Sequence, residues 1–202
     1  MMRVALTGGI ATGKSYVLAR LRERGMPTID ADDLVHEALG AGTPTTSAIG
    51  EQFGSEFLKA DGGVDRARLG SRVFGDPESR ARLEGIIHPV VYEAIRKWFE
   101  ALDGPMGVAS IPLLYETHRE GEFDCVVVTV CPPDVQLQRI LERDRISEEE
   151  ARQRIAAQLP AGEKARWADF VIRTGGTTQA TDRQVDELLA ALRSVKAPGA
   201  GL

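Results

Sequence analysis

One short segment near the start of the chain combines glycines, a lysine and a serine in an order that suits phosphate binding. Residues 8–15 read Gly-Gly-Ile-Ala-Thr-Gly-Lys-Ser, which satisfies the pattern G-x-x-x-x-G-K-[ST]. In such a loop the backbone N–H groups point inward at phosphate oxygens, and the helix that follows adds its positive dipole end. The segment lies between a predicted strand and a predicted helix. This placement favours a phosphate-binding loop over a glycine turn with an incidental lysine.

The side chains of this loop have separate predicted roles. Lys14 is placed to reach the β- and γ-phosphates of a nucleoside triphosphate, and the hydroxyl of Ser15 is a candidate Mg²⁺ ligand. The predicted nucleotide-binding residues are Gly8, Gly9, Ala11, Thr12, Gly13, Lys14, Ser15 and Tyr16.

A group of carboxylates directly follows the second predicted strand. Mg²⁺ takes its other ligands mostly from waters and carboxylates, yet the third strand, where P-loop enzymes usually carry an acid, ends without one. Asp30 and Asp32 are the alternatives, and one of them would orient an acceptor hydroxyl as general base or anchor a metal-bound water. We favour Asp32 for this role. The competing interpretation is that Asp32 or Asp33 only caps the next helix.

Strand-like and helix-like stretches alternate along the chain, which is typical of a parallel sheet covered by helices. A helix is predicted to begin at Lys14 and to end before Gly25, and the last helix is predicted to end near Val195. The predicted strands are Arg3–Thr7, Pro27–Ile29, Gly107–Ile111, Cys125–Val130 and Phe170–Arg173.

The pattern between the second and third strands is almost wholly helical and predicts an inserted block. Its clearest feature is an apolar stripe at helical spacing, formed by Val91, Ile95, Trp98 and Leu102, which indicates a packed core. An arginine-rich helical pair follows the fourth strand, broken near Arg145 and restarted by a capping box. We expect one domain with a core (1–32, 106–132, 161–195), an acceptor-binding block (33–105), a lid (133–160) and a frayed tail (196–202).

The composition is that of an ordinary globular protein and excludes several classes of function. Of 202 residues, 43% are hydrophobic and 27% are charged, and no repeat or low-complexity segment is present. The net charge of -5 argues against a nucleic-acid partner, because broad phosphate neutralisation requires an excess of basic residues.

The longest apolar run, from Cys125 to Cys131, is too short to cross a bilayer and is rich in β-branched residues. It therefore predicts a strand that is buried on both faces. The run contains both cysteines of the chain, which fits core residues in a reducing compartment better than a disulfide or metal pair. The first residues do not resemble a signal peptide. We expect a cytoplasmic protein without membrane contact, acting as a monomer or weak homo-oligomer.

Six segments spread along the chain carry a family pattern: Leu6–Ile10, Ile29–Asp32, Ile87–Pro89, Pro112–Glu116, Arg143-Asp144 with Ile146-Ser147, and Ala168–Ile172. Together they resemble the dephospho-CoA kinase family, and the resemblance runs from Val4 to about Gly176. The His-Pro and Pro-Leu-Leu-Tyr-Glu segments make it specific, since the phosphate loop alone indicates only a nucleotide.

The resemblance implies a P-loop nucleoside-triphosphate hydrolase fold, with a five-stranded parallel sheet, helices on both faces, an inserted helical acceptor domain and a helical lid. It implies transfer of the γ-phosphoryl group of ATP, with Mg²⁺, to the ribose 3′-hydroxyl of dephospho-CoA as the last step of coenzyme A synthesis. The catalytic residues would be Lys14, Asp32 and Arg143.

Each residue assigned to the acceptor site by the resemblance also has a purely structural interpretation. His88-Pro89 would contribute to that site, or would simply end one helix and start the next. Glu116 is as consistent with a solvated acid as with a functional one. Arginine suits a lid because it grips phosphates through two donors at once, although most lid arginines would be surface charges. The substrate-binding residues predicted in this way are Asp32, His88, Pro112, Leu113, Leu114 and Arg139.

The chain departs from the family pattern at three places. Ala11 and Thr12 occupy the middle of the loop where the family usually has Gly-Ser, and an alanine is unfavourable there if the position needs a positive φ. Arg145 stands where the family often has Gly, and Thr174 where Asn is common. The alanine would alter nucleotide affinity, although the fixed positions of the motif are all present. The departures at Arg145 and Thr174 affect the lid hinge and the adenine contact rather than the phosphate chemistry.

Two other functions fit the same loop. A different small-molecule or nucleoside monophosphate kinase would share the loop and lid but not the His-Pro and Pro-Leu-Leu-Tyr-Glu segments. A nucleotide-dependent switch would need segments that respond to the γ-phosphate, and no guanine-specificity motif is evident.

Overall fold

A computed structural model describes residues 1–73 and 75–194 of the chain. Five strands form one sheet: β1 (Met2–Gly8), β2 (Thr28–Asp30), β3 (Met106–Ser110), β4 (Cys125–Val130) and β5 (Phe170–Arg173). The helices are α1 (Lys14–Glu23), α2 (Ala31–Ala38), α3 (Pro44–Phe53), α4 (Arg66–Val73), α5 (Pro77–Glu100), α6 (Pro133–Asp144), α7 (Glu148–Ala156), α8 (Ala161–Trp167) and α9 (Thr178–Ser194).

The sheet is parallel and has the order β2-β3-β1-β4-β5, so the fold class predicted from the sequence is confirmed. The first strand lies in the middle, where Val4 pairs with Val108 on one side and with Cys125 on the other. Because all strands run the same way, the segments that follow β1, β3, β4 and β5 emerge at one edge of the sheet.

The predicted bounds of β4, β5 and the start of α1 agree with the structure, whereas β2 and β3 are displaced by one residue. Strand ends are the least sharply defined part of a pattern, because the last backbone hydrogen bonds depend on the neighbouring strand. The predicted helix end at Val195 and the tail 196–202 lie outside the described residues.

The structure divides into two compact units, and the first comprises the described part of residues 1–29 and 102–202. Its core lies between one face of the sheet and two helices, α1 and α9, which pack on each other. Every residue of β4 is buried, as expected for a parallel strand covered on both faces. The apolar residues that form this core include Val4, Leu6, Val17, Leu21, Val108, Val127, Ile172, Val185 and Leu192.

The two cysteines of this unit are free thiols in different surroundings. Cys125 is buried at the start of β4, and burial raises the pKa of its thiol to about 12. Cys131 follows the end of β4 and is only half-buried, so the prediction that both lie inside the strand is wrong for Cys131. The strand stops at Val130 because two prolines, which cannot donate to a ladder, come directly after Cys131.

The second unit, residues 30–101, is helical and contains α2 to α5. The long helix α5 packs against α2, α3 and α4 through a stripe of buried residues, namely Ile87, Val91, Ile95 and Phe99. The stripe repeats every four residues, so it continues to Phe99 rather than to Trp98 and Leu102. Pro89 lies inside α5, and the interpretation in which the His-Pro pair separates two helices is therefore wrong. None of the helices in the described part of the chain combines the length and apolar character that spanning a bilayer requires.

Candidate phosphate-binding site

The predicted phosphate loop connects the last residue of β1, Gly8, to the first residue of α1, Lys14. Two of its residues have a left-handed backbone: Gly13, with φ of 88°, caps α1, and Ala11 has φ of 56°. Such a conformation turns successive N–H groups to the same side of the chain, as an anion-binding loop requires. The concern raised by the sequence about Ala11 is thus real, because this position does need a positive φ.

Gly8 has no room for a side chain. A Cβ atom at this position would lie 2.3 Å from Oγ1 of Thr129 and 2.6 Å from Oγ1 of Thr12. The glycine therefore permits the loop to leave β1 in close contact with β4, which is a packing requirement separate from phosphate binding.

Replacing Gly8 by Ala should lower the free energy of unfolding by about 1–3 kcal/mol, since overpacking forces buried neighbours to move. A matched control is Gly85→Ala in α5, where a Cβ meets nothing within 4 Å and alanine favours the helix by up to about 1 kcal/mol. Urea denaturation of both variants measures the difference. Equal stability of the Gly8→Ala variant and the unmodified protein would contradict the packing argument.

Three buried threonines hold the loop in place: one in the loop itself, one on β4 and one directly after β5. Thr12 donates from Oγ1 to the carbonyl of Gly9 at 2.8 Å, and the same hydroxyl lies 2.8 Å from Oγ1 of Thr129 on β4. Thr174, directly after β5, donates to the carbonyl of Thr12 at 2.7 Å. Since a hydroxyl has one proton to give, Thr12 donates to Gly9 and accepts from Thr129.

Sequence reasoning did not identify Thr129, although a polar residue in the middle of an apolar strand is a usable signal. Thr174 was noted only as a departure from the family pattern. Its role is structural as well, because the methyl and hydroxyl groups of Thr174 pack against Gly13, where a Cβ would come within 2.9–3.0 Å of them.

Lys14 extends from the first turn of α1 toward the end of β3, where its Nζ lies 3.0 Å from Oγ of Ser110. Ser110 is fully buried and is the last residue of the strand. This is the strand end at which the sequence lacks the usual carboxylate. The structure therefore assigns a serine, which sequence reasoning passed over, as a hydrogen-bond partner of the loop lysine.

The two residues after Lys14 differ in their surroundings. Ser15 is exposed in the first turn of α1. Tyr16 turns toward α9, where its hydroxyl donates to Asp182 at 2.9 Å and its ring lies beneath the guanidinium of Arg20. The side chain of Tyr16 is thus engaged in helix packing, and its predicted contact with a nucleotide would come from the backbone N–H.

The two lid arginines singled out by the sequence have different contacts. Arg139 lies against the loop and donates to the carbonyl of Ala11 at 3.4 Å and to that of Thr174 at 2.6 Å. Arg143 points to solvent and donates to the carboxylate of Asp144, with Nε and Oδ1 2.6 Å apart. Hydrogen bonding to Asp144 raises the pKa of Arg143, and it holds the pKa of Asp144 below its usual value.

The break between the two lid helices occurs where the sequence predicted it. Helix α6 ends at Asp144, and its C-cap residue, Arg145, has a left-handed φ of 53°, which explains why glycine suits this position. Ser147 then caps α7 by accepting from the N–H of Glu150, which confirms the predicted helix start. The carboxylate of Glu150 pairs with Arg154 at 2.8 Å.

A buried ion pair holds the segment after β3. The side chain of Lys164, on α8, is fully buried, and its Nζ lies 2.7 Å from Oε1 of Glu116 and 3.2 Å from the carbonyl of Pro112. Glu116 is therefore neither solvated nor free, contrary to one of the two interpretations left open above. Leu114 is fully buried as well, whereas Pro112 and Leu113 remain half-buried. The sequence around Lys164 does not indicate that this lysine is buried and paired, since its partner Glu116 is distant along the chain.

The predicted acceptor-side residues Asp30, Asp32 and His88 belong to the helical unit. Asp30 caps α2 by accepting from the N–H of Asp32 at 3.0 Å, so the capping acid is neither Asp32 nor Asp33. Asp32 is exposed in the first turn of that helix. His88 is half-buried on α5, edge-on to the ring of Tyr92.

A cavity of about 750 Å³ opens beside the ends of β4 and β5. Apolar groups and glycines form most of its wall, and two arginines lie at its border. The lining residues include Cys131, Pro132, Ala165, Arg166, Arg173 and Gly175. Its size and walls suit a planar heterocycle such as a nucleobase.

Within the described residues 1–73 and 75–194, no three His, Cys, Asp or Glu side chains lie close enough together to form a protein-only metal site. Mg²⁺ commonly keeps several waters and binds through substrate phosphates and one or two protein oxygens. The exposed hydroxyl of Ser15 beside the phosphate loop fits this mode of binding.

A parallel sheet in this order, with a glycine-rich loop between its central strand and a helix and a lysine reaching the next strand end, defines a P-loop kinase.

Comparison with known proteins narrows this class. The family model described as dephospho-CoA kinase matches residues 2–180. The dephospho-CoA kinase of Anaeromyxobacter dehalogenans is 47% identical over 96% of this chain and 93% of its own length. The chain belongs to the dephospho-CoA kinase family.

Two solved structures are similar to nearly the whole chain. A Thermus thermophilus protein of known crystal structure shares 31% identity, with a TM-score of 0.82 and coverage of 95% of this chain and 97% of its own. The dephospho-CoA kinase from Campylobacter jejuni shares 26% identity, with a TM-score of 0.65 and coverage of 94% and 96%.

Proposed function

We propose that this protein transfers the γ-phosphoryl group of ATP to the 3′-hydroxyl of the ribose of dephospho-CoA, giving coenzyme A and ADP. The observation that carries the proposal is the family match across residues 2–180, which includes an intact phosphate loop in a strand–loop–helix setting. Phosphoryl transfer requires little covalent chemistry from the protein. The rate enhancement must therefore come from positioning of the reactants and from electrostatic stabilisation of the transition state.

In the nucleotide site, backbone donors of residues 8–15 and the ammonium group of Lys14 would hold the triphosphate. Lys14 already lies beside Ser110, so its charge is directed toward the strand end next to the loop. Ser15 would ligate Mg²⁺, which supplies charge neutralisation on the β- and γ-phosphates. We place the adenine in the cavity beside β4 and β5. The wall of this cavity is largely apolar and includes Gly175, which directly follows the loop-contacting residue Thr174.

The lid, residues 133–160, would close over the phosphates and exclude water, which otherwise competes with the acceptor for the γ-phosphoryl group. Arg143 is the proposed catalytic arginine. On closure of the lid, its guanidinium would release the carboxylate of Asp144 and bind phosphate oxygens instead. Arg139, which touches the carbonyl of Ala11, is placed to contact substrate beside the loop.

On the acceptor side, Asp32 would align the ribose hydroxyl with the γ-phosphorus and accept its proton. Asp30 is committed to the helix cap, which leaves Asp32 as the exposed acid of the pair. His88 and the segment Pro112–Leu114 would complete the acceptor site, with Leu114 supporting it from beneath because its side chain is buried.

The remaining proposals concern the setting of the reaction. We infer a cytoplasmic protein, active as a monomer or weak homo-oligomer, that has small-molecule substrates and no nucleic-acid partner. The net charge of -5 and the free thiols support this inference.

The test is transfer of labelled γ-phosphate from ATP to dephospho-CoA, to nucleoside monophosphates, and to water in the absence of acceptor. We expect labelled coenzyme A as the main product. Transfer only to a nucleoside monophosphate would favour a different small-molecule kinase. Label found only in inorganic phosphate would favour a nucleotide-dependent switch.

A further inference from the structure

Two glutamine side chains hold a single residue of the phosphate loop from both sides. The N–H of Ile10 donates to Oε1 of Gln158 at 2.8 Å, and the carbonyl of Ile10 accepts from Nε2 of Gln136 at 2.7 Å. Gln136 lies on α6 and is only 8% exposed, whereas Gln158 follows α7 and is half-buried. An amide side chain offers both a donor and an acceptor, so one residue type can satisfy both sides of Ile10.

The residue after Ile10 is the strained Ala11. Its left-handed φ of 56° is unfavourable for alanine because Cβ approaches the following carbonyl oxygen. The carbonyl of Ile10 belongs to the peptide that precedes Ala11, so the bond from Gln136 restrains the orientation on which this φ depends. The bond from Arg139 to the carbonyl of Ala11 restrains the next peptide. Strain of this kind persists only where surrounding groups over-determine the conformation.

Both glutamines are themselves anchored. Gln136 packs closely on the loop, since a Cβ placed on Gly9 would lie 3.1 Å from its Nε2. The residue next to Gln158, Leu159, donates its N–H to Glu116 at 3.0 Å. That glutamate is paired with the fully buried Lys164. The segment that carries Gln158 is thus tied to the buried ion pair and cannot follow a relaxing loop at low cost.

We propose that Gln136 and Gln158 are positioning residues that keep Ala11 in its left-handed conformation and so preserve the phosphate-binding form of the loop. This inference rests on the proposed function, because it assumes that the loop binds ATP. A loop that already has its binding conformation before ATP arrives does not lose conformational entropy on binding, so its affinity for ATP is higher.

The test replaces each glutamine by methionine, which has similar length and no comparable hydrogen-bonding groups. We expect Gln136→Met and Gln158→Met each to weaken ATP binding about tenfold, as loss of one hydrogen bond implies. The matched control is Gln138→Met on the same helix as Gln136, since Gln138 is exposed and donates to the exposed Glu142 of the same helix. Its affinity for ATP should be unchanged. Affinity is measured by calorimetry without an acceptor, and thermal melts establish that each variant is folded.

A second comparison separates positioning from general support of the fold. Glycine adopts the left-handed region without steric cost, so in an Ala11→Gly background the Gln136→Met change, which removes the bond to the peptide before residue 11, should weaken ATP binding only about two- to threefold. An equal loss in both backgrounds, or unchanged ATP affinity with a lower melting temperature, would overturn the inference. Wild-type protein that binds ATP but does not phosphorylate dephospho-CoA would refute the proposed function alone. Failure of the wild type to bind ATP would overturn both.

Discussion

Replacing Lys14 by Ala should reduce turnover by about 10²–10³-fold, the loss typical of removing one group that stabilises transition-state charge. Negative charge builds on the oxygens of the transferring group, and Lys14 is the proposed cation at the β- and γ-phosphates. The effect on kcat should exceed the effect on ATP affinity, because backbone donors of the loop remain. Steady-state kinetics with ATP and dephospho-CoA, together with an equilibrium ATP titration, measure the two effects separately.

The Lys14→Ala variant should remain folded. The variant loses the hydrogen bond from Lys14 to Ser110, which is worth about 1 kcal/mol against a typical domain stability of about 5–15 kcal/mol. Lys97→Ala is a suitable control, because the side chain of Lys97 is 68% exposed and pairs only loosely with Glu93 at 3.5 Å. Turnover within tenfold of the wild type for Lys14→Ala would contradict the proposed role.

Replacing Asp32 by Asn should lower kcat by about 10²–10⁴-fold while leaving the affinity for ATP unchanged. Asparagine has nearly the same shape as aspartate and can still accept a hydrogen bond, but it cannot take the proton of the ribose hydroxyl. The loss should therefore fall on the chemical step. Single-turnover measurements with saturating ATP and dephospho-CoA report that step directly.

The neighbouring acid provides the control for this experiment. Asp33 is exposed in the same first turn of α2, so Asp33→Asn changes the local charge by the same amount. Its turnover should stay within about twofold of the wild type, consistent with the small effects of exposed charges. If Asp32→Asn retained wild-type turnover, or if both variants lost activity equally, Asp32 would not be the general base.

Several parts of the molecule could be predicted because they depend on short stretches of sequence. The apolar run of β4, the glycine-rich loop and the helix cap at Ser147 are all local patterns. The family resemblance raised the question of a positive φ at Ala11, because glycine is usual at that position, and the structure shows that the φ is positive.

The supports of the site could not be predicted in the same way. Ser110, Thr129, Gln158 and Lys164 reach the loop or its neighbouring segment across large separations along the chain. Each is an ordinary residue in its own stretch of sequence, and only the packing of strands and helices turns it toward a partner. The solvated interpretation of Glu116 could be excluded only from the structure, because its partner Lys164 lies on a different element.

The sequence by itself determined the phosphate loop, the class of fold and the family. Each of these depends on short runs of contiguous residues, whose side-chain chemistry and backbone preferences can be recognised without the tertiary structure. The tertiary structure decided which side chains hold the loop, that Ser110 accompanies Lys14 at an acid-free strand end, and that Asp30 rather than Asp32 caps its helix. The physical reason is that hydrogen bonds and buried ion pairs depend on distances of about 3 Å between atoms. Such distances are set by the packed sheet and helices, and they leave little trace in the order of residues along the chain.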